Sequence, residues 1–328
     1  MNYDEAYSAF TSLFNHEMND EQMREFLISM KLDENTSVDA IAAAAAVMRS
    51  KAIALPVPDE LRPKLLDVVG TGGDKIGSFN ISSTVALLCA SMGSYVAKHG
   101  SRSVTSKSGS ADMFESLGVR LDLNLEQSAR LLEECGFTFM FAQNHHPAMK
   151  FIMPVRKSIS AKTIFNVLGP LTNPAGVEKI MLGVFDRSFV PKIARALQIN
   201  SVKSAIVVSS KEHMDEISLS EVTYAARVSE KGIQEYEIDP TAYGIKRQPL
   251  EAIIGGDAKE NAVILHNIFD NQATEAQRDI VLINAANAFI VDGKARDIQD
   301  GLAMAEEALL SGKAKAKLEE IIQVSQKL

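Results

Sequence analysis

The sequence predicts an α/β protein in which a small all-helical N-terminal domain precedes a larger α/β domain with a mostly parallel central sheet. The N-terminal segment has helical periodicity only, whereas from residue 65 short apolar segments alternate with amphipathic ones. That alternation is typical of a parallel sheet with helices on both faces. The sequence Leu-Pro-Val-Pro at residues 55–58 interrupts helix between the two parts. We therefore expect a hinge there and a cleft between the domains.

The same patterns predict the domain boundaries. Residues 1–64 are expected to form the helical domain, joined by a return segment near residues 147–170. Residues 65–146 and 171–328 are expected to form the α/β domain. Because prolines and glycines restrict the backbone at residues 169–176, this segment should be a rigid crossing between domains, a pocket wall, or both.

Cap residues and hydrophobic periodicity locate the individual elements. Asn19 and Ser37 are predicted to cap helices at residues 20–30 and 38–51. Strands are predicted at residues 65–69, 95–98, 137–141, 180–184 and 204–208, with a further one at 235–238. Further helices are predicted at residues 82–92, 111–117, 125–135, 188–197, 261–269, 275–291 and 298–310.

Composition excludes several classes of protein. Of the 328 residues, 46% are hydrophobic and 23% are charged, which is ordinary for a soluble globular protein. The net charge of −8 argues against nucleic acid as a partner, and no apolar run approaches the ~18 residues of a membrane span. Cys89 and Cys135 lie far apart in apolar segments and are expected to be buried thiols, so we expect a cytoplasmic protein.

Residues 65–74 combine a buried strand with a glycine turn that ends on an aspartate. Three glycines in the turn allow close approach of a ligand and present successive backbone N–H groups, which favours an anion. Residues 82–84, Ser-Ser-Thr, precede an apolar run and predict a second anion site at a helix N-terminus. Two such sites indicate a ligand with more than one phosphate group. The alternative is a tight turn without a ligand.

Residues 98–112 leave a strand and are dense in hydroxyl and basic side chains. Lys98, Arg102 and Lys107 lie within this short segment of an acidic chain, which favours a loop that grips phosphate groups. The alternative is a solvated Ser/Gly linker. Arg156 lies close to the predicted rigid segment and would suit recognition of a carboxylate.

Asp215 and Glu216 are adjacent carboxylates just after a predicted strand. Together with Asp74 they could coordinate Mg²⁺ shared with substrate phosphates, which would offset the repulsion between an acidic protein and an anionic ligand. The alternative is a solvated acidic pair. His99 and the histidines at residues 145–146 are expected to line a pocket, because no metal-ligand spacing accompanies them.

These motifs occur together in the order and spacing of one enzyme family. The chain resembles the anthranilate phosphoribosyltransferases of tryptophan biosynthesis over essentially its full length. The matching motifs are Gly-Thr-Gly-Gly-Asp at 70–74, Asn-Ile-Ser-Ser at 80–83, Lys-His-Gly at 98–100, Ser-Lys-Ser-Gly-Ser-Ala-Asp at 106–112, His-Pro at 146–147, Val-Arg at 155–156, Thr-Ile-Phe-Asn at 163–166, Gly-Pro-Leu-Thr-Asn-Pro at 169–174 and Met-Asp-Glu at 214–216.

The resemblance implies transfer of the 5-phosphoribosyl group of phosphoribosyl pyrophosphate to the amine of anthranilate, with release of pyrophosphate. It also implies Mg²⁺ as the cofactor, with two ions per subunit, and a homodimer formed through the helical domain. The alanine-rich helix at residues 38–51 offers small side chains for close helix packing in such a dimer.

The resemblance also assigns a ligand to individual residues. Mg²⁺ is expected to bind Ser82, Asp215 and Glu216. Anthranilate is expected to contact Gly70, His99, Ser101, His146, Arg156, Gly169 and Pro170. Phosphoribosyl pyrophosphate is expected to bind Gly70, Gly73, Asp74, Ser78, Asn80, Ile81, Ser82, Ser83, Lys98, Arg102, Thr105, Ser106 and Ser110.

The chain departs from the family pattern in two places. Ser101 stands where the family usually has an asparagine associated with the acceptor, so weaker acceptor binding is expected. Residues 158–162 lack a glycine and an arginine that are common in the family, although the flanking motifs are intact.

Two other functions are open at this point: a pyrimidine nucleoside phosphorylase and a non-catalytic, nucleic-acid-binding relative. The acidic pair at residues 215–216 and the motif at 80–83 argue against the phosphorylase, which uses inorganic phosphate. The net charge argues against the nucleic-acid-binding relative.

Overall fold

The computed structural model describes residues 1–103 and 107–328 of the chain. Its strands are β1 Leu65–Gly70, β2 Tyr95–Gly100, β3 Phe137–Phe141, β4 Lys179–Gly183, β5 Ser204–Ser210, β6 Thr223–Ser229 and β7 Gly232–Ile238. Within these residues they form one seven-stranded sheet in the order β3-β2-β1-β4-β5-β6-β7. The pairings from β3 to β5 are parallel, and those of β6 with β5 and β7 are antiparallel. The predicted α/β class with a mostly parallel sheet is confirmed.

Helices precede, connect and follow the strands. Those of the described residues are α1 Tyr3–Phe14, α2 Asp20–Ser29, α3 Val38–Ser50, α4 Ile81–Ser91, α5 Ser110–Ser116, α6 Leu125–Cys135, α7 Ala142–His145, α8 Met149–Lys157, α9 Phe165–Leu168, α10 Val190–Ile199, α11 Ala258–Phe269, α12 Glu275–Asp292, α13 Ile298–Leu310 and α14 Lys313–Lys327.

Side-chain caps explain where several of these helices begin. Asn19 accepts a hydrogen bond from the backbone N–H of Gln22 at 2.9 Å, and the Gln22 side chain accepts one from Asn19. Asn124 and Gln127 form the same reciprocal pair at the start of α6. Such pairs satisfy backbone donors that have no partner inside the helix. The helix starts predicted from these asparagines are confirmed.

Alternate side chains of the central strands pack on opposite faces of the sheet. In β5, Ile206 and Val208 join a buried cluster with α4 and α12, whereas Ala205 and Val207 join another with α3 and α10. Successive side chains of a strand point to opposite faces, so helices cover both faces of the sheet. This arrangement is the predicted one.

The N-terminal helices pack on one another and on the segment near residues 147–170. The Leu32 backbone N–H donates to the Lys162 carbonyl at 3.0 Å, and the Ile164 N–H donates to the Met30 carbonyl at 2.9 Å. Residues 42–45, four alanines of α3, are 0% exposed. Their small side chains therefore pack inside the protomer, and the expectation that they offer a surface for dimer packing is wrong.

Two parts of the element prediction need correction. β6 was not predicted, because its sequence Thr-Tyr-Ala-Ala-Arg-Val-Ser has neither a long apolar run nor regular alternation. β7 begins earlier than the predicted strand at 235–238, because the two strands form a hairpin that continues to Gly232. Cys89 and Cys135 are buried free thiols, as expected. No described helix has the length and apolar character needed to cross a membrane.

Candidate active site

A cavity of about 600 Å³ opens at the carboxyl ends of the parallel strands, where ligands of open α/β sheets bind. The glycine turn after β1, the N-terminus of α4, the end of β2 and the acidic loop after β5 meet there. The residues predicted for a ligand or metal that line this cavity are Gly70, Gly73, Asp74, Ser78, Asn80, Ile81, Ser82, Ser83, Lys98, His99, Ser101, Arg102, Ser110, Gly169, Pro170, Asp215 and Glu216.

Two of the predicted site residues that the structure describes, His146 and Arg156, are not among the lining residues. The ring centroid of His146 lies 5.2 Å from that of His99. Arg156 lies on α8. Thr105 and Ser106 lie outside the described residues.

The glycine turn and the acidic loop are in direct contact. The Gly72 backbone N–H donates to Asp215 Oδ2 at 2.6 Å. A Cβ atom on Gly70 would lie 2.4 Å from Asp215 Oδ2, and one on Gly183 would lie 1.6 Å from the Asp215 backbone oxygen. Only glycine allows this approach, so the turn and β4 together fix the position of the acidic loop.

The N-terminus of α4 adjoins the same loop. The Ser82 backbone N–H donates to Glu216 Oε1 at 3.1 Å. Lys98, which is 2% exposed, donates from Nζ to the Val68 carbonyl at 2.5 Å and to Ser82 Oγ at 3.4 Å. A buried ammonium and a helix N-terminus therefore face the carboxylates across the cavity floor.

Burial and mutual repulsion perturb the acidic groups of the loop. Burial, followed by the charge of Asp74, raises the pKa of Asp215 to about 7. Burial, followed by the charge of Asp215, raises the pKa of Glu216 well above its usual range, although Lys98 opposes this. Burial lowers the pKa of Lys98. A divalent cation beside these carboxylates would stabilise their charged forms, so the residues present fit Mg²⁺.

The protein ligands offered to a cation are few. Within residues 1–103 and 107–328, no three Asp, Glu, His or Cys side chains converge as a group that could hold a metal ion. Ser82, Asp215 and Glu216 instead contribute a hydroxyl and two carboxylates to one cavity. Mg²⁺ is commonly bound in this way, by one or two carboxylates together with substrate phosphates and water.

A buried polar group below the cavity was missed by sequence reasoning. Asp67, 0% exposed in β1, accepts from Asn173 Nδ2 at 2.7 Å, and that nitrogen also donates to the Ala97 carbonyl at 2.8 Å. Burial raises the pKa of Asp67 to about 6. The bonds tie the rigid segment at 169–174 to β1 and β2. The sequence did contain a signal for this group, because Asp67 is a charged residue inside an otherwise apolar predicted strand.

Two basic side chains have partners that the sequence did not indicate. Arg102 lines the cavity, but its guanidinium donates to Asp112 at 3.0 Å and to Glu115 at 2.5 and 2.7 Å. Lys162, from the segment that departs from the family pattern, donates to the Gly73 carbonyl at 3.1 Å. Its Nζ lies 3.3 Å from the ring centroid of Phe185. Lys162 thus connects the return segment to the glycine turn.

Neutral histidines lie near residues 169–170: His99 lines the cavity there, and His146 packs against His99. His99 Nδ1 lies 3.2 Å from the Gly169 carbonyl oxygen, which identifies it as the protonated nitrogen. Burial, followed by the nearby histidines, lowers the pKa of His99 to about 3, and burial lowers that of His146 to about 4. Among the described residues, neither Nε2 atom has a hydrogen-bond partner. Both rings therefore stay neutral at pH 7 and retain an acceptor.

Arg156 is a cation in an apolar setting. Its guanidinium carbon lies 5.7 Å from the Phe165 ring centroid, and its Nη1 lies 3.9 Å from the sulfur of Met153. Burial lowers the pKa of Arg156. No acidic side chain of the described residues forms an ion pair with it. A ligand carboxylate would supply the missing charge.

The fold and the cavity indicate an α/β protein whose site suits a ligand with phosphate groups, and the family that the chain matches is one of transferases. The family model described as "Glycosyl transferase family, a/b domain" matches residues 62–315.

Two similar proteins are anthranilate phosphoribosyltransferases. That of Bradyrhizobium diazoefficiens is 42% identical over 322 residues, which cover 98% of this chain and 94% of that protein. That of Xanthobacter autotrophicus is 43% identical over 325 residues, covering 99% and 93%. The chain belongs to the anthranilate phosphoribosyltransferase family, as the sequence motifs implied.

Solved structures agree with this assignment. The anthranilate phosphoribosyltransferase of Thermus thermophilus has a TM-score of 0.91 at 37% identity, with 99% of this chain and 96% of that chain covered. The Saccharomyces cerevisiae enzyme in complex with PRPP and Mg has a TM-score of 0.87 at 26% identity, with 98% and 93% covered.

Proposed function

We infer that this chain transfers the 5-phosphoribosyl group of phosphoribosyl pyrophosphate to the amine of anthranilate, releasing pyrophosphate. The inference rests on one observation: three parts of the chain that suit anions or cations meet in one cavity. The glycine turn contacts the loop of Asp215 and Glu216, and that loop contacts the N-terminus of α4. This combination suits a substrate that is both a polyanion and a ligand of Mg²⁺.

In the reaction, the bond between ribose C1 and the pyrophosphate oxygen breaks, and its electron pair leaves with pyrophosphate. The anthranilate nitrogen forms the new bond to C1 and then loses one proton. Mg²⁺, held by Ser82, Asp215 and Glu216, would neutralise charge that develops on the leaving pyrophosphate. Because an aromatic amine is already nucleophilic, the residues of the chain act mainly by orienting the reactants and by stabilising charge.

On the pyrophosphate side, backbone amides of the glycine turn and of α4 would donate to phosphate oxygens. Gly73 has φ +77°, a left-handed conformation that glycine adopts without strain. Lys98 would add a positive charge beneath the phosphates. Arg102 is held by Asp112 and Glu115, so in this role it would have to exchange a carboxylate for a phosphate.

On the acceptor side, His99, His146 and the wall formed by residues 169–170 would hold the aromatic ring. Arg156 would pair with the carboxylate as anthranilate approaches, since no protein carboxylate among the described residues competes for it. Ser101 lines the cavity, but its hydroxyl donates locally to the Arg102 carbonyl at 3.1 Å.

Anthranilate fluorescence provides the decisive assay. Protein, Mg²⁺, phosphoribosyl pyrophosphate and anthranilate are mixed, and the fluorescence of anthranilate should fall as product forms. Omission of each component in turn should abolish the change. Constant fluorescence with correctly folded protein would refute the activity.

We further propose that the protein is a cytoplasmic homodimer with two Mg²⁺ ions per subunit, and that the helical domain hinges against the α/β domain. Three exposed apolar side chains lie on the N-terminal helices and α8: Tyr7 is 39%, Ile28 48% and Phe151 58% exposed. These would be covered in the dimer. Light scattering at micromolar concentration should give twice the 35.7 kDa chain mass, and Phe151→Asp should shift it towards monomer.

A further inference from the structure

Helix α4 begins differently from the other helices that start at an asparagine. Asn2, Asn19 and Asn124 each accept, through Oδ1, the backbone N–H of the third helical residue at 2.9–3.0 Å. Asn80 occupies the same position before α4 but makes no such bond. Its ψ is 68°, whereas those of the three capping asparagines are 171–177°. The Asn80 side chain, which would ordinarily cap α4, therefore has other partners.

The Asn80 side chain is hydrogen-bonded to a buried asparagine from the C-terminal part of the chain. Asn261 on α11 is 2% exposed, and its Nδ2 donates to Asn80 Oδ1 at 2.8 Å. Its own Oδ1 accepts from the Gly256 backbone N–H at 2.8 Å. Both ends of the Asn261 amide are thus satisfied. Ser108 Oγ also donates to Asn80 Oδ1, at 3.2 Å, and Asn80 Nδ2 donates to the Ser108 carbonyl at 3.4 Å. Among the described residues, the oxygen with which Asn80 could cap α4 therefore has two partners, of which Asn261 is the nearer.

The segment before α11 supports the same arrangement through the backbone. The Phe79 N–H donates to the Ile253 carbonyl at 3.1 Å, and the Gly255 N–H donates to the Gly77 carbonyl at 2.9 Å. A Cβ atom on Gly255 would lie 2.6 Å from the Phe79 Cα atom. The close approach places Asn261 directly behind Asn80.

We propose that Asn261 is a positioning residue that holds Asn80 away from the start of α4, so that the Ser83 backbone N–H can bind substrate phosphate. Without Asn261, Asn80 would keep only the longer bonds to Ser108 within the described part of the chain. It could then cap the helix as the other three asparagines do, and it would compete with the phosphate for that donor. This inference rests on the proposed function, because it concerns the pyrophosphate side of that cavity.

Asn261→Ala tests the proposal. Inorganic pyrophosphate with Mg²⁺ is titrated calorimetrically into wild type and variant, which measures binding without turnover. The dissociation constant should rise about tenfold, as expected for loss of one hydrogen bond to a charged group. The KM for phosphoribosyl pyrophosphate should rise similarly, whereas that for anthranilate at saturating phosphoribosyl pyrophosphate should stay within twofold.

Asn287→Ala is the matched control for the loss of a buried amide. Asn287 is 0% exposed on α12, and within the described part of the chain its Nδ2 donates only to the Ile283 carbonyl of the same helix, at 2.9 Å. This variant should lose thermal stability but bind pyrophosphate as wild type does. Equal weakening of pyrophosphate binding by both variants would overturn the proposal.

A double variant tests whether Asn261 acts by positioning Asn80 or whether its loss disrupts the surrounding structure in general. In an Asn80→Ala background, no side chain remains to cap α4, so adding Asn261→Ala should change pyrophosphate binding by less than twofold. Independent, multiplicative losses would overturn the proposal, as would unchanged binding in the single Asn261 variant. Wild-type protein that binds pyrophosphate but never consumes anthranilate would refute the proposed function instead, and the binding comparison would still decide the role of Asn261.

Discussion

The two sides of the cavity are built on different physical principles. The pyrophosphate side brings together backbone amides, the buried ammonium of Lys98 and the carboxylates of Asp215 and Glu216. The side predicted for the acceptor has the neutral imidazole of His99 and the Gly169 carbonyl, and the neutral His146 packs against His99 without lining the cavity. A polyanion requires charges that balance one another, whereas a flat aromatic amine requires shape and a few hydrogen bonds. Substitutions on one side should therefore affect one substrate and spare the other.

The largest effect is expected from removal of both charges in the acidic loop. Asp215→Asn combined with Glu216→Gln should lower kcat by about 100-fold or more, because a bound cation contributes several kcal/mol to transition-state stabilisation. Phosphoribosyl pyrophosphate with Mg²⁺ should also lose its stabilisation of the melting temperature. The control is Glu133→Gln combined with Glu134→Gln, which changes two acidic residues that are neighbours in sequence on α6. Normal turnover of the loop variant across a Mg²⁺ titration would show that the pair holds no cation needed for the reaction.

Arg156→Met should chiefly affect the acceptor. Removal of one charge-assisted contact to a carboxylate should raise the KM for anthranilate about 10- to 100-fold and leave that for phosphoribosyl pyrophosphate nearly unchanged. Lys157→Met removes the neighbouring, exposed cation of the same helix and should change neither constant. An equal rise in both constants for Arg156→Met would contradict the division of the cavity into two sides.

The buried histidines predict acid sensitivity of the fold. The pKa of His99 is about 3 in the folded protein because of burial, against a usual value near 6.5. Between pH 6.5 and 3 the unfolded state therefore binds more protons, so the free energy of unfolding decreases as the pH falls. The slope per group is at most about 1.4 kcal/mol per pH unit.

Urea unfolding at pH 7, 6 and 5 measures this slope. Since Asp67, whose pKa is raised to about 6, contributes with the opposite sign below that pH, the useful quantity is the difference between variant and wild type. His99→Gln should show a shallower dependence of the free energy of unfolding on pH than wild type. Equal slopes for wild type and His99→Gln would mean that His99 binds protons equally in the folded and unfolded states, which would contradict the lowered pKa.

The smallest effect is expected at Ser101, where the chain departs from its family. Asparagine reaches about one bond further than serine, so Ser101→Asn should restore a neutral hydrogen bond worth about 0.5–1.5 kcal/mol. The KM for anthranilate should fall by up to about tenfold, and that for phosphoribosyl pyrophosphate should not change. A wild type that ignores anthranilate but accepts a substituted analogue would indicate that Ser101 adapts the site to another aromatic amine.

The two sides also differ in how far the sequence predicts them. The glycine turn, the start of α4 and the acidic pair are short local patterns, and all of them line the cavity. Arg156 and His146 were predicted for the acceptor from family motifs, yet neither lines the cavity. Lys162 and Asp67 were missed because their contacts depend on which segments meet: Lys162 bonds to Gly73, 89 residues away in the chain.

Local patterns were sufficient for the class of fold, for most helices and parallel strands, and for the family. Periodicity and capping act over a few residues, so the chain displays them directly. Only the packing of the folded chain brings Asp215 into contact with Gly72, 143 residues away in sequence, and Asn261 into contact with Asn80, 181 residues away. It also buried the alanines of α3 within the protomer. These contacts depend on how whole elements pack, and no short stretch of sequence specifies which distant partner a side chain will meet.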